Sequence, residues 1–181
     1  MLARTGPAPA RGWLRSWAVD IELRAAAPGD VEAIRSIYNP EVIGSTATFD
    51  LVPRTAAAQA AWLRAHAGAH PAIVAVDVDQ VIGFGSLSPW RDRPAYSTSA
   101  EDSVYVHPDQ RGRGVGRLLL DELVRLGRLH GFHALFARIV GDHQASIVLH
   151  QRCGFEVVGV EKQVGRKFGQ WLDVVVMERL L

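Results

Sequence analysis

The chain has 181 residues, of which 48% are hydrophobic and 22% charged, and its formal net charge at pH 7 is +1. This length fits one domain with a sizeable core, which we expect over residues 19–181. The balanced charge argues against nucleic-acid and membrane-surface partners, and no apolar run is long enough to cross a bilayer. The single cysteine, Cys153, excludes an internal disulfide and favours a reducing, cytoplasmic location.

The N-terminal region carries few structural signals. Residues 1–18 mix Pro, Ala, Gly and Arg without hydrophobic periodicity and lack the apolar segment of a secretory signal, so we expect a disordered or loosely docked tail. Alternation over 19–24 predicts a first strand, and the acidic turn at 28–30 begins a helix. Asn39 and Pro40 are expected to interrupt this helix, because proline cannot donate a helical hydrogen bond.

The middle of the chain is rich in strand patterns. A second helical period around Trp62 precedes two β-rich runs, AIVAVDVD and VIGFGSLSPW, which together predict a hairpin. Alternation over 102–106 predicts a central strand. Pro108 ends that strand, because it has no amide hydrogen to donate.

A basic, glycine-rich loop follows the central strand and precedes an amphipathic helix. Its residues are Arg111, Gly112, Arg113, Gly114, Val115, Gly116 and Arg117. Glycines allow close backbone approach, and the first amides of a helix lack internal partners, so a phosphate or pyrophosphate fits there. Neither a dinucleotide fingerprint nor a Walker loop matches, since the third glycine is replaced by Arg117 or Leu119 and no Gly-Lys-Ser/Thr run is present.

The C-terminal third predicts three more strands and a short helix. The strands fall at 134–140, 155–160 and 171–177, and the helix at 144–152 is ended by Gly154. Helical and strand patterns alternate along the chain, so the fold class is mixed α/β with helices on both faces of a sheet.

The glycine-rich loop resembles that of the GNAT superfamily of acetyltransferases, whose pattern is Arg or Gln, two residues, Gly, one residue, and Gly or Ala. Arg111, Gly114 and Gly116 meet this pattern. In that superfamily the loop binds the pyrophosphate of acetyl-coenzyme A (acetyl-CoA). The resemblance implies the GNAT fold, with a largely antiparallel sheet of six or seven strands.

Further stretches resemble one branch of the superfamily, the phosphinothricin and methionine sulfone or sulfoximine acetyltransferases. They are IYN at 37–39, STATF at 45–49, PWRDRPAY at 89–96, EDSVYV at 101–106, ASIVLHQRCGF at 145–155 and VGRKFGQWLDVVVME at 164–178. The resemblance implies an enzyme that moves an acetyl group from acetyl-CoA to the α-amino group of a small amino acid or analogue.

Two catalytic residues follow from this resemblance. Glu101, the first residue of EDSVYV, would take the proton from the substrate ammonium, whereas an arbitrary strand-end Glu is usually only solvated. His150 occupies the place of a tyrosine that protonates the departing thiolate in many members. The alternative for His150 is a helix-face histidine that only packs or caps.

The resemblance also assigns contacts to acetyl-CoA. Main-chain amides within Val104, Tyr105 and Val106 would meet the thioester oxygen if this strand separates from its neighbour. His143 stands where members commonly carry an asparagine that holds the pantetheine arm, with Ser146 nearby. Imidazole can also donate a hydrogen bond, so binding is expected to persist.

The acceptor side is assigned from residue chemistry. Arg91, Arg93 and Tyr96 could hold the carboxylate of an amino acid, and Phe49 and Trp90 could form an apolar wall. No metal is expected, since the lone Cys and scattered His give no ligand spacing. The family's C-terminal region lies at a homodimer interface, so a homodimer is implied.

Two other functions stay open at this stage. A GNAT enzyme could acetylate a protein N-terminus, a lysine or another amine, or the chain could be a non-catalytic acetyl-CoA sensor. The presence of both Glu101 and His150 argues against the sensor.

Overall fold

The computed structural model describes residues 21–181, so the expected tail at 1–18 lies outside the described residues. Within residues 21–181, seven strands form one sheet in the order β1-β2-β3-β4-β5-β7-β6. Every neighbouring pair is antiparallel except β4 with β5. Four α-helices accompany the sheet in the described part of the chain, which confirms the predicted fold class.

The element boundaries are as follows. The strands are β1 Glu22–Ala25, β2 Ala72–Asp77, β3 Gln80–Pro89, β4 Ser99–Val106, β5 Ala134–Val140, β6 Glu156–Lys167 and β7 Gln170–Leu180. The helices are α1 Val31–Gly44, α2 Ala56–Ala65, α3 Val115–Leu129 and α4 Gln144–Arg152.

The predicted break at Asn39 and Pro40 is wrong, because α1 runs through both residues to Gly44. Val42 is buried in the core beyond the proline, and its packing offsets the lost helical hydrogen bond. Asn39 exchanges two hydrogen bonds with the backbone of Arg54, each 2.9 Å long. The side-chain amide of Asn39 therefore holds the segment before α2 in place, and Asn39 does not end the helix.

The last two strands are longer than predicted. β6 and β7 form a hairpin that extends over the polar segment between Glu161 and Lys167, where the sequence shows little strand pattern. The backbone ladder to β7 holds this segment extended, although the register shifts between Glu161 and Gly165. Strand formation here comes from pairing rather than from local preference.

Two hydrophobic clusters lie on opposite faces of the sheet. α3 covers one face with Leu119, Leu120 and Leu123, and α1 covers the other with its buried apolar residues. Gly85 of β3 lies beneath α3, and a Cβ there would be 3.0 Å from Leu123 Cδ1. The absence of a side chain at this position lets α3 approach the sheet closely.

β4 and β5 separate soon after they meet. Only Ser99–Glu101 pair with Ala134–Phe136 in the parallel ladder. β4 then continues with β3 alone, and β5 continues with β7 alone through Val140. A wedge-shaped cleft opens between two strands that are neighbours in the sheet.

Candidate active site

The cleft between β4 and β5 widens into a cavity of about 720 Å³. Its wall combines the diverging halves of β4 and β5, the glycine-rich loop, α4, and the segment after α1. This volume lies in the range typical of small-molecule and cofactor sites. One cavity therefore joins the elements that the sequence assigned to acetyl-CoA and to catalysis.

Backbone groups without a partner on a neighbouring strand line one side of the cleft. His107 donates its amide hydrogen to Ile82 of β3, so strand alternation directs the amides of Val104 and Val106 the other way, toward β5. The carbonyl of Val106 accepts a hydrogen bond of 3.3 Å from Arg111 Nε. The strand separation on which the predicted oxyanion contact depends is present.

The glycine-rich loop has the conformation that its composition suggests. Gly112 and Gly114 have φ values of +76° and +83°, and Gly114 is the N-cap of α3. No heavy atom lies within 4 Å of a Cβ built on either residue, so glycine is required there by conformation and not by crowding. The first amides of α3 therefore stand free at the cavity wall.

The three arginines of the loop each contact an acidic group. Arg111 lies 2.5 Å from Glu41 Oε1, Arg113 lies 2.8 Å from Asp77 Oδ2, and Arg117 lies 3.4 Å from Asp121 Oδ2. Arg111 and Arg117 line the cavity, whereas Arg113 does not, because it is directed to Asp77 and Gln110.

Glu101 lies where the two strands part, and it lines the cavity. Burial raises the pKa of the Glu101 carboxyl to about 7, and the charge of Arg138 opposes this rise. The charges of Asp102 and Glu161 raise the pKa further, and that of Arg91 lowers it. A carboxyl that is half ionised near neutral pH can accept a proton from an amine and release it again.

Asp102 and His150 form a buried pair on the opposite side of β4. His150 Nε2 lies 3.0 Å from Asp102 Oδ1, and His150 Nδ1 lies 2.7 Å from the carbonyl oxygen of Ser146. Burial lowers the pKa of His150, but the charge and hydrogen bond of Asp102 and the Ser146 carbonyl together raise it above its usual value. Both ring nitrogens are thus engaged by the protein.

Most of the residues predicted to bind acetyl-CoA line this cavity. They are Val104, Tyr105, Val106, Arg111, Gly112, Gly114, Val115, Gly116, Arg117, His143 and Ser146. Of the predicted acceptor contacts, Phe49 lines the cavity, and Trp90, Arg91, Arg93 and Tyr96 do not. Trp90 instead stacks on Phe136, with ring centroids 4.2 Å apart.

Several cavity residues were not identified from the sequence. Asp102 and Arg138 are charged residues within buried strands, a signal that could have marked them. Tyr38 and Thr48 share a hydrogen bond of 2.7 Å beside the cavity, and they lie within the IYN and STATF stretches. Their contact joins α1 to the segment that follows it.

The described residues were compared with the features of two other kinds of site, a cluster of metal-ligating side chains and a membrane-spanning helix. In the range 21–181 there is no group of three or more His, Cys, Asp or Glu side chains placed to hold a metal ion. No helix of the same range has the length and hydropathy needed to span a membrane.

Known proteins are similar to this chain in sequence and in fold. An L-methionine sulfoximine/L-methionine sulfone acetyltransferase of Pseudomonas aeruginosa is 41% identical over 159 residues, covering 86% of this chain and 92% of that protein. The crystal structure of a GNAT superfamily phosphinothricin acetyltransferase from Sinorhizobium meliloti in complex with acetyl-CoA has a TM-score of 0.85 at 39% identity, and covers 89% of this chain and 88% of that one.

A third similar protein is the ribosomal-protein-alanine N-acetyltransferase from Brucella melitensis. Its crystal structure has a TM-score of 0.87 at 38% identity, and covers 88% of this chain and 99% of that one. The family model described as the acetyltransferase (GNAT) family matches residues 31–155. On this match, and on relatives at about 40% identity over most of both chains, the protein belongs to the acetyltransferase (GNAT) family.

Proposed function

We propose that this protein transfers the acetyl group of acetyl-CoA to the α-amino group of a small amino acid or analogue of the phosphinothricin, methionine sulfone or methionine sulfoximine type. The observation that carries the proposal is the position of Glu101, a carboxyl with a pKa of about 7, where β4 and β5 separate. The names of the Pseudomonas and Sinorhizobium proteins support this substrate class.

The residues of the cleft fit acetyl-CoA. The free amides at the start of α3, reached through Gly112 and Gly114, suit its pyrophosphate. The unpaired edges of β4 and β5 offer hydrogen bonds to the amide groups of its pantetheine arm, and His143 and Ser146 face the same cavity. Bound there, acetyl-CoA supplies an acetyl group activated as a thioester.

The cavity contains a residue for each proton transfer and for the charge that develops during acetyl transfer. Glu101 takes a proton from the substrate ammonium, because only the neutral amine is nucleophilic. The amides of Val104 and Val106 stabilise the negative charge that develops on the thioester oxygen. His150 belongs to the wall from which the departing sulfur is protonated. Phe49 forms part of the acceptor side of the cavity.

A second candidate function is acetylation of a protein N-terminus. The activity named for the Brucella relative favours it, since that protein is as similar in sequence and fold as the amino-acid acetyltransferases. The two candidates differ in the acceptor alone, so one assay separates them.

The acceptor class is decided by measuring the coenzyme A thiol released from acetyl-CoA with a panel of amines. We expect turnover with phosphinothricin, methionine sulfone and methionine sulfoximine, and none with peptides that begin with alanine or carry a free lysine. Turnover with the peptides and with no amino-acid analogue would overturn the proposal in favour of the second candidate.

Glu101→Gln is expected to lower kcat by roughly 100-fold or more, because it keeps the side-chain volume but removes the base. In the wild type, Glu101 accepts a proton only when ionised, so kcat/KM should fall as the pH drops below about 7. Glu22→Gln, on an exposed position of β1, is the matched control and should retain activity. Wild-type turnover in Glu101→Gln would remove Glu101 from the mechanism.

Gly114→Val is expected to weaken acetyl-CoA binding far more than folding. Valine is strained at a φ of +83° and would displace the amides at the start of α3. Gly68→Val places the same strain in a loop with a φ of +63° and is the control. Calorimetry that finds wild-type affinity in folded Gly114→Val would contradict the loop assignment.

We also propose that the protein is a cytoplasmic homodimer. Its single cysteine supports a reducing compartment. The hairpin of β6 and β7 supports association, because Phe168 and Trp171 are 58% and 61% exposed and several valines of the edge strand β6 are exposed as well.

Light scattering at micromolar concentration is expected to give the mass of two chains. Trp171→Glu should shift the protein toward a monomer, because a charge in an apolar interface is costly to bury. Leu129→Glu changes an equally exposed apolar residue at the end of α3 and should leave the dimer intact. A monomeric wild type would refute the proposed assembly.

A further inference from the structure

The hydrogen-bond partners of His150 favour one proton more on its ring than a neutral imidazole carries. The carbonyl of Ser146, 2.7 Å from Nδ1, can only accept a hydrogen bond, so Nδ1 carries a proton. Asp102 Oδ1 lies 3.0 Å from Nε2, and a carboxylate oxygen at this distance accepts a hydrogen bond only if Nε2 also carries a proton. The surroundings of the ring therefore favour an imidazolium beside a carboxylate.

The contacts around the ring explain why this charge is tolerated in the core. His150 and Asp102 are 4% and 5% exposed, and an isolated charge at such positions would be expensive. Asp102, on β4, is the charged residue that raises the pKa of His150. The aromatic ring of Phe155 packs against the imidazole of His150, with ring centroids 5.1 Å apart. Removing the carboxylate would leave the imidazolium without compensation.

A hydroxyl lies beside the pair in the cavity wall. Ser146 Oγ lies 3.4 Å from His150 Nδ1, and Ser146 is a half-buried residue of the cavity wall. Asp102, His150 and Ser146 all line the cavity, and together they form a chain of polar groups along its wall. It lies on the face of β4 opposite Glu101, because successive side chains of a strand point to opposite faces.

We propose that Asp102 is a positioning residue that keeps His150 doubly protonated, and that Ser146 relays a proton from His150 to the sulfur of the departing coenzyme A. The inference deepens the proposed function and rests on it. The sequence motifs that identified Glu101 and His150 do not assign these roles to Asp102 and Ser146.

The protons and electrons of the step balance. The amine nitrogen forms a bond to the acetyl carbon, and the carbon–sulfur bond breaks with its electron pair moving to sulfur. Ser146 Oγ gives its proton to sulfur and takes one from His150 Nδ1. This transfer breaks the hydrogen bond from Nδ1 to the Ser146 carbonyl and leaves a neutral ring with its remaining proton on Nε2 toward Asp102. The ammonium loses two protons over the whole reaction, and one of them recharges the ring.

Nuclear magnetic resonance of the full chain with labelled histidine tests the charge directly. The signals of His150 are identified by their loss in His150→Phe. At pH 7 we expect both ring nitrogens to be protonated in the wild type, and only Nδ1 in Asp102→Asn, because the introduced side-chain amide can donate to Nε2. Asp79→Asn, the same change in the exposed β2–β3 turn, should leave the signals unchanged.

Kinetics with an acceptor that the wild type uses tests the relay. We expect Asp102→Asn to lower kcat about tenfold, less than the usual effect of removing a general acid, because solvent can protonate a thiolate. The KM for acetyl-CoA should change little. Asp102→Asn combined with His150→Phe should be no slower than His150→Phe alone, since either change leaves no imidazolium to supply a proton.

Ser146→Ala keeps the proposal testable if Asp102→Asn folds poorly. We expect it to lower kcat at saturating acetyl-CoA while His150 stays doubly protonated. A neutral ring in the wild type, unchanged protonation in Asp102→Asn, or wild-type kcat in Ser146→Ala would each overturn the inference. A wild type that acetylates peptides alone would contradict the proposed substrate class, and the measured ring charge would still decide the role of Asp102.

Discussion

The separation of β4 from β5 is the constraint on which the rest of the structure depends. Each strand is held on its outer side along its length, β4 by β3 and β5 by β7, so the two halves of the sheet are fixed independently. They meet in parallel for only three residue pairs. Beyond that point two strand edges face each other with unpaired backbone groups, which demand hydrogen-bonding partners when buried. A ligand rich in amides and carbonyls meets that demand.

The same strand gives two adjacent acids different chemistry. Glu101 and Asp102 point to opposite faces of β4, since side chains alternate along a strand. Glu101 lies at the cleft, where burial raises its pKa to about 7 and Arg138 only partly offsets the cost of the charge. Asp102 lies in the core against His150, and its charge is balanced by the ring. The two carboxyl groups are thereby kept in different electrostatic surroundings on separate faces of the strand.

The part of the cavity wall that contains Phe49 is held by contacts from distant parts of the chain. The ammonium of Lys167 is buried and donates to the carbonyl oxygen of Thr48 at 2.7 Å, which ties the C-terminal hairpin to the segment after α1. A Cβ on Gly165 would lie 2.3 Å from the ring of Phe49, so glycine is needed for this ring to rest on β6. Tyr38 completes the wall by hydrogen bonding to Thr48.

Local patterns in the sequence determined the glycine-rich loop, the helix after it, the β2–β3 hairpin and the mixed α/β class. Each depends on residues close in the chain, such as the spacing of Gly112 and Gly114 or the 3.6-residue period of α3. The strand separation, the path of α1 through Pro40 and the pairing of Asp102 with His150, 48 residues away, came only from the tertiary structure. Packing between distant segments decides which strand edges stay unpaired and which buried charges lie close together. No local sequence pattern encodes this packing.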